Sequence, residues 1–381
     1  MHALRGVYQT RRALGEQLLS LAQRLHYPDI LLEAHHTLWT TLLAGGELAA
    51  ARAHLEQGKK LYDPQRHRTH AALYSGHDPG VCCRMQSSHA LWVLGFPDQA
   101  VASIQAALAL AQQLGHPMSL CMALRWAAVF HYLRREAPPT QARAEAAVIM
   151  ATDHGFPEQV ALVMPLQAWA LAATSQGEEG IAQIRPGLAA SQATEVTRDR
   201  SDCLALLAET FAQVGQITKA LEALAEGLAT VAKSRIRWWE AELYRLRGEL
   251  LLRQTGAQPE EAEVCFQQAL AVARRGQAKS WELRAAMSLS RLWQRQGKHA
   301  EALDLLAPIY GWFTEGFDTA DLQEATALLE ELEGESRRAQ YFVDALGPIA
   351  YHMGATVAAG THHPTHLYYQ ALQAARPLAF R

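Results

Sequence analysis

The 381-residue chain carries 35 basic and 38 acidic residues, a net charge of −3, and charged residues make up only 19% of it. That balance provides no clustered basic face of the kind nucleic acid requires. The longest apolar stretches, such as Ala100 to Ala111, are interrupted by polar residues and too short to span a bilayer, so neither a nucleic-acid nor a membrane partner is expected.

The opening residues, Met1 to Gly6, contain no apolar core or cleavage site of the secretory type, and a cytoplasmic product is expected. The five cysteines, Cys82, Cys83, Cys121, Cys203 and Cys265, fit that compartment. Their number is odd and the one close pair is vicinal, so no disulfide framework is implied. Cys203 and Cys265 sit in helical patterns, where a free thiol packs as a small apolar residue.

Along the chain a small residue recurs, followed four positions later by an apolar one and three after that by another small or apolar one. The set reads Ala51-Leu55-Gly58, Ala100-Ile104-Ala107, Gly180-Ile184-Gly187, Ala220-Leu224-Gly227 and Ala262-Phe266-Ala269, with looser copies at Ala142-Ala146-Ile149 and Ala302-Leu306-Ile309. Steps near 40 residues between first members are the signature of a stacked helical repeat array. A helix-length apolar stripe precedes each triplet where it is clearest, as in Trp239, Leu243, Leu246 and Leu250 ahead of the Gly256 turn. Each repeat therefore reads as two antiparallel helices, the small residues letting their axes approach.

The 49-residue step between Ala51 and Ala100 hosts an insertion, bounded here as 62–88. It contains two Asp-Pro steps and the histidines His67, His70 and His77, with Asp78, Cys82 and Cys83 nearby. His67, His70 and Asp78 form a candidate loop site. Zinc-ligand spacing of the usual C-x2-C or H-x3-5-H type is absent, so no metal is expected, and a surface-packed loop held by hydrogen bonds is the favoured reading.

Tryptophans recur in the first helices, at Trp92, Trp126, Trp169, Trp238, Trp239, Trp281, Trp293 and Trp312, and most are expected to fill seams between repeats. Trp238 and Trp239 point about 100° apart on a helix, which makes Trp238 a candidate for an exposed inner surface. Glu242, Arg245, Arg284 and Arg291 lie off the apolar stripes and complete a candidate partner-binding set. Two readings stand for them. One is an Arg-rich inner wall that holds a carboxylate or phosphorylated ligand. The other is a solvated face of pairs such as Arg245 with Glu249, worth a few tenths of a kcal/mol each.

No phosphate-binding loop is encoded. Gly58-Lys59-Lys60 and Gly297-Lys298-His299 lack both the upstream glycine and the hydroxyl residue, so no nucleotide cofactor and no enzymatic activity are expected. Near the end, Asp318 and Asp321 are placed to cap a final helix whose Leu322, Ala325, Leu328, Leu329 and Leu332 face the last repeat. The array is bounded as 1–332, and 333–381 is set apart as an extension rich in Gly and His.

The pattern of Trp92-x-Leu94-Gly95 before Ala100, and of Ala262, Phe266 and Ala269, resembles the tetratricopeptide repeat, although the period is longer than the usual one and the helix-ending proline is mostly absent. The resemblance implies an all-α, right-handed superhelix of about seven helix pairs with a C-terminal capping helix. More narrowly, residues 238–249, 278–286 and 310–322 are similar to the C-terminal region of bacterial adenylate/guanylate cyclase-like proteins, in which a cyclase and a predicted ATPase domain are joined to such repeats. That similarity spans roughly residues 10 to 332. It implies a regulatory or protein-interaction module with a protein or peptide partner, a cyclase or ATPase domain among the candidates, or alternatively a sensor that binds a peptide or small molecule in its concavity.

Overall fold

In the computed structural model, residues 2–174 and 200–335 are described; the Gly180-Ile184-Gly187 triplet and the tail beyond 335 lie outside them. Every described element is helical. After an N-terminal helix, His2–Leu25, the chain forms helix pairs Pro28–Ala44 with Leu48–Leu61, Pro79–Val93 with Pro97–Leu114, and Pro117–Leu133 with Ala137–Asp153. These are repeats one to three. The helix Pro157–Ala173 opens repeat four. Repeats five to seven pair Arg200–Gln213 with Ile217–Ser234, Glu240–Arg253 with Pro259–Arg275, and Lys279–Arg295 with His299–Tyr310. A capping helix covers 320–335. No helix among the described residues is long and apolar enough to cross a membrane.

Local chemistry explains the punctuation. Proline stands at the start of six of these helices, at Pro28, Pro79, Pro97, Pro117, Pro157 and Pro259, where its fixed φ suits the helix and its missing N–H costs nothing. The turns inside repeats one, two, five, six and seven use glycines with positive φ, Gly46, Gly95, Gly215, Gly256 and Gly297. Repeat three has Arg135 at that turn, at φ 65°, a strained setting for a residue with a Cβ.

The small-residue triplets do what their spacing predicts. Ala100, Ala107, Ala220, Ala262, Ala269 and Ala302 are fully buried, with Ile104, Leu224, Phe266 and Leu306 between them. The approach is close enough to demand glycine twice: a Cβ on Gly58 would stand 2.3 Å from the Trp39 ring, and one on Gly248 2.5 Å from Phe266. Repeat three corrects the sequence register. Ala142 is exposed and Ile149 is 62% exposed, while Thr140, Ala144 and Ala147 are buried. An Ala-rich helix offers several small residues, and only contact with the preceding helix selects among them.

The superhelix turns far enough for its early and late repeats to meet across the axis. Trp92 of repeat two lies edge-on to Trp281 of repeat seven at 5.0 Å, and Ser280 donates to the Trp92 carbonyl. Trp281 is 5.4 Å from Trp239, which is 5.3 Å from Trp238, which in turn stacks near Trp126 at 6.3 Å. Trp281 Nε1 donates to the Trp238 carbonyl at 3.2 Å. At the rims, Arg237 N donates to the Ala44 carbonyl at 2.7 Å and Gln99 Nε2 to Glu315 Oε2 at 3.0 Å. Much of what would be an open channel is thus an aromatic core. Trp238 and Trp239 are 8% and 1% exposed, so neither forms the exposed inner surface expected of Trp238: the axis that would have been solvent is occupied by repeats two, three and seven.

The insertion is shorter than its expected bounds, because Pro79–Val93 begins inside 62–88 and is the first helix of repeat two. The remaining loop contains a π-helical turn, Ala71–Ser75. The capping helix buries Leu322, Ala325, Leu328 and Leu332 as expected. Asp321 does not cap it; its carboxylate is taken by arginines from the array.

The register yields a stability test. Ala220→Leu or Ala269→Leu should overpack a dry helix contact and cost about 1–3 kcal/mol, whereas Ala142→Leu on the exposed side of its helix should stay within about 0.5 kcal/mol of the parent. Denaturant midpoints measure all three; equal losses at Ala142 and Ala220 would contradict this register.

Candidate functional site

The space that the aromatic core leaves open is a cavity of about 650 Å³ between repeats three to seven and the capping helix. Its apolar floor includes Trp169, Ala208, Leu246, Leu250 and Met287. Its walls carry five arginines, Arg135, Arg245, Arg253, Arg284 and Arg291, and five carboxyl groups, Glu209, Glu242, Glu249, Asp321 and Glu324. The charged residues come mainly from first helices, whose inner faces line a tetratricopeptide concavity.

The pairing is dense. Arg245 makes two contacts with Glu242, at 2.7 and 2.6 Å, and one with Glu249 at 2.5 Å. Arg284 donates to Asp321 Oδ2 at 2.8 Å, to Glu242 Oε1 at 3.4 Å and to the Leu133 carbonyl at 2.5 Å. Its guanidinium also lies over Trp92 and Trp281, at 5.0 and 5.2 Å. Glu324 joins Arg135 and Arg291, each at 2.5 Å. Burial would raise the Glu242 carboxyl, but Arg245 and Arg284 outweigh it and hold the group below the usual carboxylate range.

Arg284 is 7% exposed, and Glu242 is also buried. The reading of these charges as a solvated face of weak pairs is therefore corrected: Glu242, Arg245 and Arg284 are an interior network, and Arg291 stands at its edge. All four still line one cavity, and Trp238 does not. Arg253 does line it; its guanidinium donates to the Ala212 carbonyl at 2.8 Å and meets no carboxylate among the described residues.

Sequence reasoning missed Glu209. Its carboxyl accepts from Tyr132 Oη at 2.5 Å and from Trp169 Nε1 at 2.8 Å. Burial, helped by the Glu242 charge, raises its pKa against the opposing hydrogen bonds. The available signal was an acid inside the apolar run Leu204 to Phe211.

Of the candidate loop residues, His67 and His70 meet edge to face at 4.6 Å, and Asp78 is engaged separately. Asp78 caps Pro79–Val93 by accepting from Val81 N at 2.9 Å, and takes the Tyr62 hydroxyl at 3.0 Å. His70 Nδ1 lies 2.7 Å from Glu33, and the Asp63 amide donates to His67 Nδ1 at 3.0 Å. All three residues are buried, while residues 63–66, 68, 69 and 72–74 around them are exposed, so the loop lies on the surface and is pinned to the array by its inward-facing histidines and Asp78. Asp29, His67 and His70 bring possible metal ligands together, but Arg66 Nε sits 2.5 Å from Asp29 and places a positive charge where a cation would bind.

Among the comparisons with known proteins, one solved structure bears on the fold. No protein-family model matches the chain. A solved Rap protein, complexed with competence and sporulation factor, aligns over 91% of this chain and 98% of its own at 14% identity, with a TM-score of 0.52. A STAND-type signal transduction ATPase with a tetratricopeptide repeat sensor, from Pyrococcus horikoshii, aligns over 88% of this chain and 49% of its own at 12% identity and a TM-score of 0.41. An uncharacterized protein of Rhizobium meliloti (strain 1021) is 23% identical over 237 residues, which is 62% of this chain and 23% of that protein's length. The chain is an all-α superhelix of tetratricopeptide type.

Two measurements follow. Arg284→Ala strips the counter-charge from buried Asp321 and Glu242 and should cost about 3–5 kcal/mol; a loss below about 1 kcal/mol in urea unfolding would mean the network is solvated. His89, buried against Trp126 at 4.4 Å, is driven down to about 4 by burial. Its unfolded form binds a proton near pH 6.5, so the unfolded state is protonated first as pH falls and native stability drops. Between pH 7 and 5 the stability difference between parent and His89→Leu should shift by about 2 kcal/mol against the parent; a pH-independent difference would contradict this.

Proposed function

We propose that the chain is a non-enzymatic regulatory module of a bacterial cytoplasmic signalling system, and that it receives a carboxylate-bearing peptide segment of its partner in the cavity between repeats three and seven. One observation carries the reading: a cavity of about 650 Å³, within the range of ligand sites, has an apolar floor and a rim where Arg253 meets no carboxylate among the described residues. A guanidinium in that setting suits a carboxylate. Neighbouring charges that already compensate one another favour selection among ligands over raw affinity.

The solved Rap protein, which shares the fold, is complexed with competence and sporulation factor, and that supports a ligand-binding role for this chain. The resemblance of residues 238–249, 278–286 and 310–322 to the repeat region of cyclase-like signalling proteins supports a cyclase or ATPase domain as the partner. The match to 23% of a longer relative agrees with a repeat region that works beside other domains.

Retention of a random hexapeptide pool on the immobilised chain, read by mass spectrometry, tests the proposal. Peptides rich in carboxylate should be enriched, less so as salt rises, and Arg253→Glu should abolish the enrichment without moving the melting temperature. No enrichment, or equal enrichment on Arg253→Glu, would overturn it.

A further inference from the structure

The geometry points to a transition-metal site between repeat one and the insertion: we propose that His36, His77 and Cys82 bind one Zn²⁺ ion. The three residues come from separate parts of the fold. His36 stands on the first helix of repeat one, His77 on the insertion just before Asp78, and Cys82 in the first turn of Pro79–Val93. One ligand atom from each lies within 4.8 Å of the others. Tetrahedral zinc, with bonds of about 2.0–2.3 Å, needs its ligand atoms about 3.3–3.8 Å apart, so side-chain shifts on the order of 1 Å close the set.

The surroundings are those of a metal ligand rather than of a packed core histidine. His36 Nδ1 lies 3.0 Å from Glu33 Oε2. Giving the Nδ1–H to that carboxylate leaves the Nε2 lone pair for a metal, the carboxylate–histidine arrangement that orients zinc ligands. Glu33 is held in turn by His70 at 2.7 Å, and the His36 ring is stacked on Trp39 at 4.9 Å. Both freedoms of the imidazole, tautomer and tilt, are thereby fixed. Cys82 is 1% exposed and unbridged. Its thiol faces the two imidazoles across the pocket they share. Two imidazoles and a thiolate select a borderline-soft ion over Mg²⁺ or Ca²⁺. The vicinal Cys83 points elsewhere, its thiol donating to the Leu55 carbonyl at 3.1 Å.

A metal ion takes Cys82 as the thiolate and His36 as the neutral imidazole, so binding releases a proton. Three protein ligands leave the fourth position to water. The ion would fasten the insertion and the start of repeat two to repeat one, so metal supply would set how firmly this corner of the array is held.

Cobalt substitution of the full, untagged, chelator-stripped chain tests the site. Histidines elsewhere, including His362, His363 and His366, bind cobalt without sulfur, so the readout is the thiolate-to-cobalt charge-transfer band in the near ultraviolet. The expected result is one equivalent of Co²⁺ with that band, displaced by one equivalent of Zn²⁺, together with a melting temperature that rises on adding Zn²⁺ and falls back with chelator. Cys82→Ser should abolish the band and Cys83→Ser keep it, while Glu33→Gln should weaken Zn²⁺ affinity about 10- to 100-fold. Absence of the band in the parent chain, its persistence in Cys82→Ser, or an unchanged melting temperature would overturn the proposal; the parent measurements decide even where a variant fails to fold.

Discussion

The structure depends on one guanidinium. Arg284, on the first helix of repeat seven, reaches the Leu133 carbonyl of repeat three, Glu242 of repeat six, Asp321 of the capping helix and the Trp92 ring of repeat two. A buried cation in this position is tolerable only with its counter-charges and hydrogen bonds in place. Its partners come from early repeats, from the neighbouring repeat six and from the capping helix, so satisfying the charge and closing the array are the same event. Repeat arrays are ordinarily stabilised by contacts between neighbours alone; here long-range contacts across the axis are added.

Closure decides what kind of surface is left. In an open superhelix the first helices present a long groove. Here the tryptophans of repeats two, three, six and seven occupy one side of it, and the charged cavity is the remainder. Its walls are arginines and carboxylates that already satisfy one another, so an incoming group gains by exchanging partners and not by meeting bare charge. Arg253 differs because, among the described residues, its guanidinium meets a carbonyl and no carboxylate. Burial raises the Glu209 carboxyl against the hydrogen bonds it accepts from Tyr132 and Trp169.

Much of the fold was legible in the sequence because close helix approach needs small residues at fixed spacing, and the steps near 40 residues record that need. The slip in repeat three arose where Ala142, Ala144, Ala146 and Ala147 all meet the steric requirement. The site was legible only in part. Glu242, Arg245, Arg284 and Arg291 could be picked out as charges off the apolar stripes, yet the burial of Glu242 and Arg284 depends on closure, which one-repeat periodicity does not encode. Tyr132 and Glu209 meet across 77 residues, and His36, His77 and Cys82 form no spacing motif because three separate elements bring them together.

Pulsed dipolar spectroscopy between nitroxides at Ala102 and Asp318 tests closure most directly. Both positions are exposed, they flank the Asp98–Gly316 contact, and all five native cysteines are buried, so labelling is selective. A closed array predicts a single narrow distribution at the short end of the measurable range, broadening in Arg284→Ala. A broad or long-distance distribution in the parent chain would contradict it.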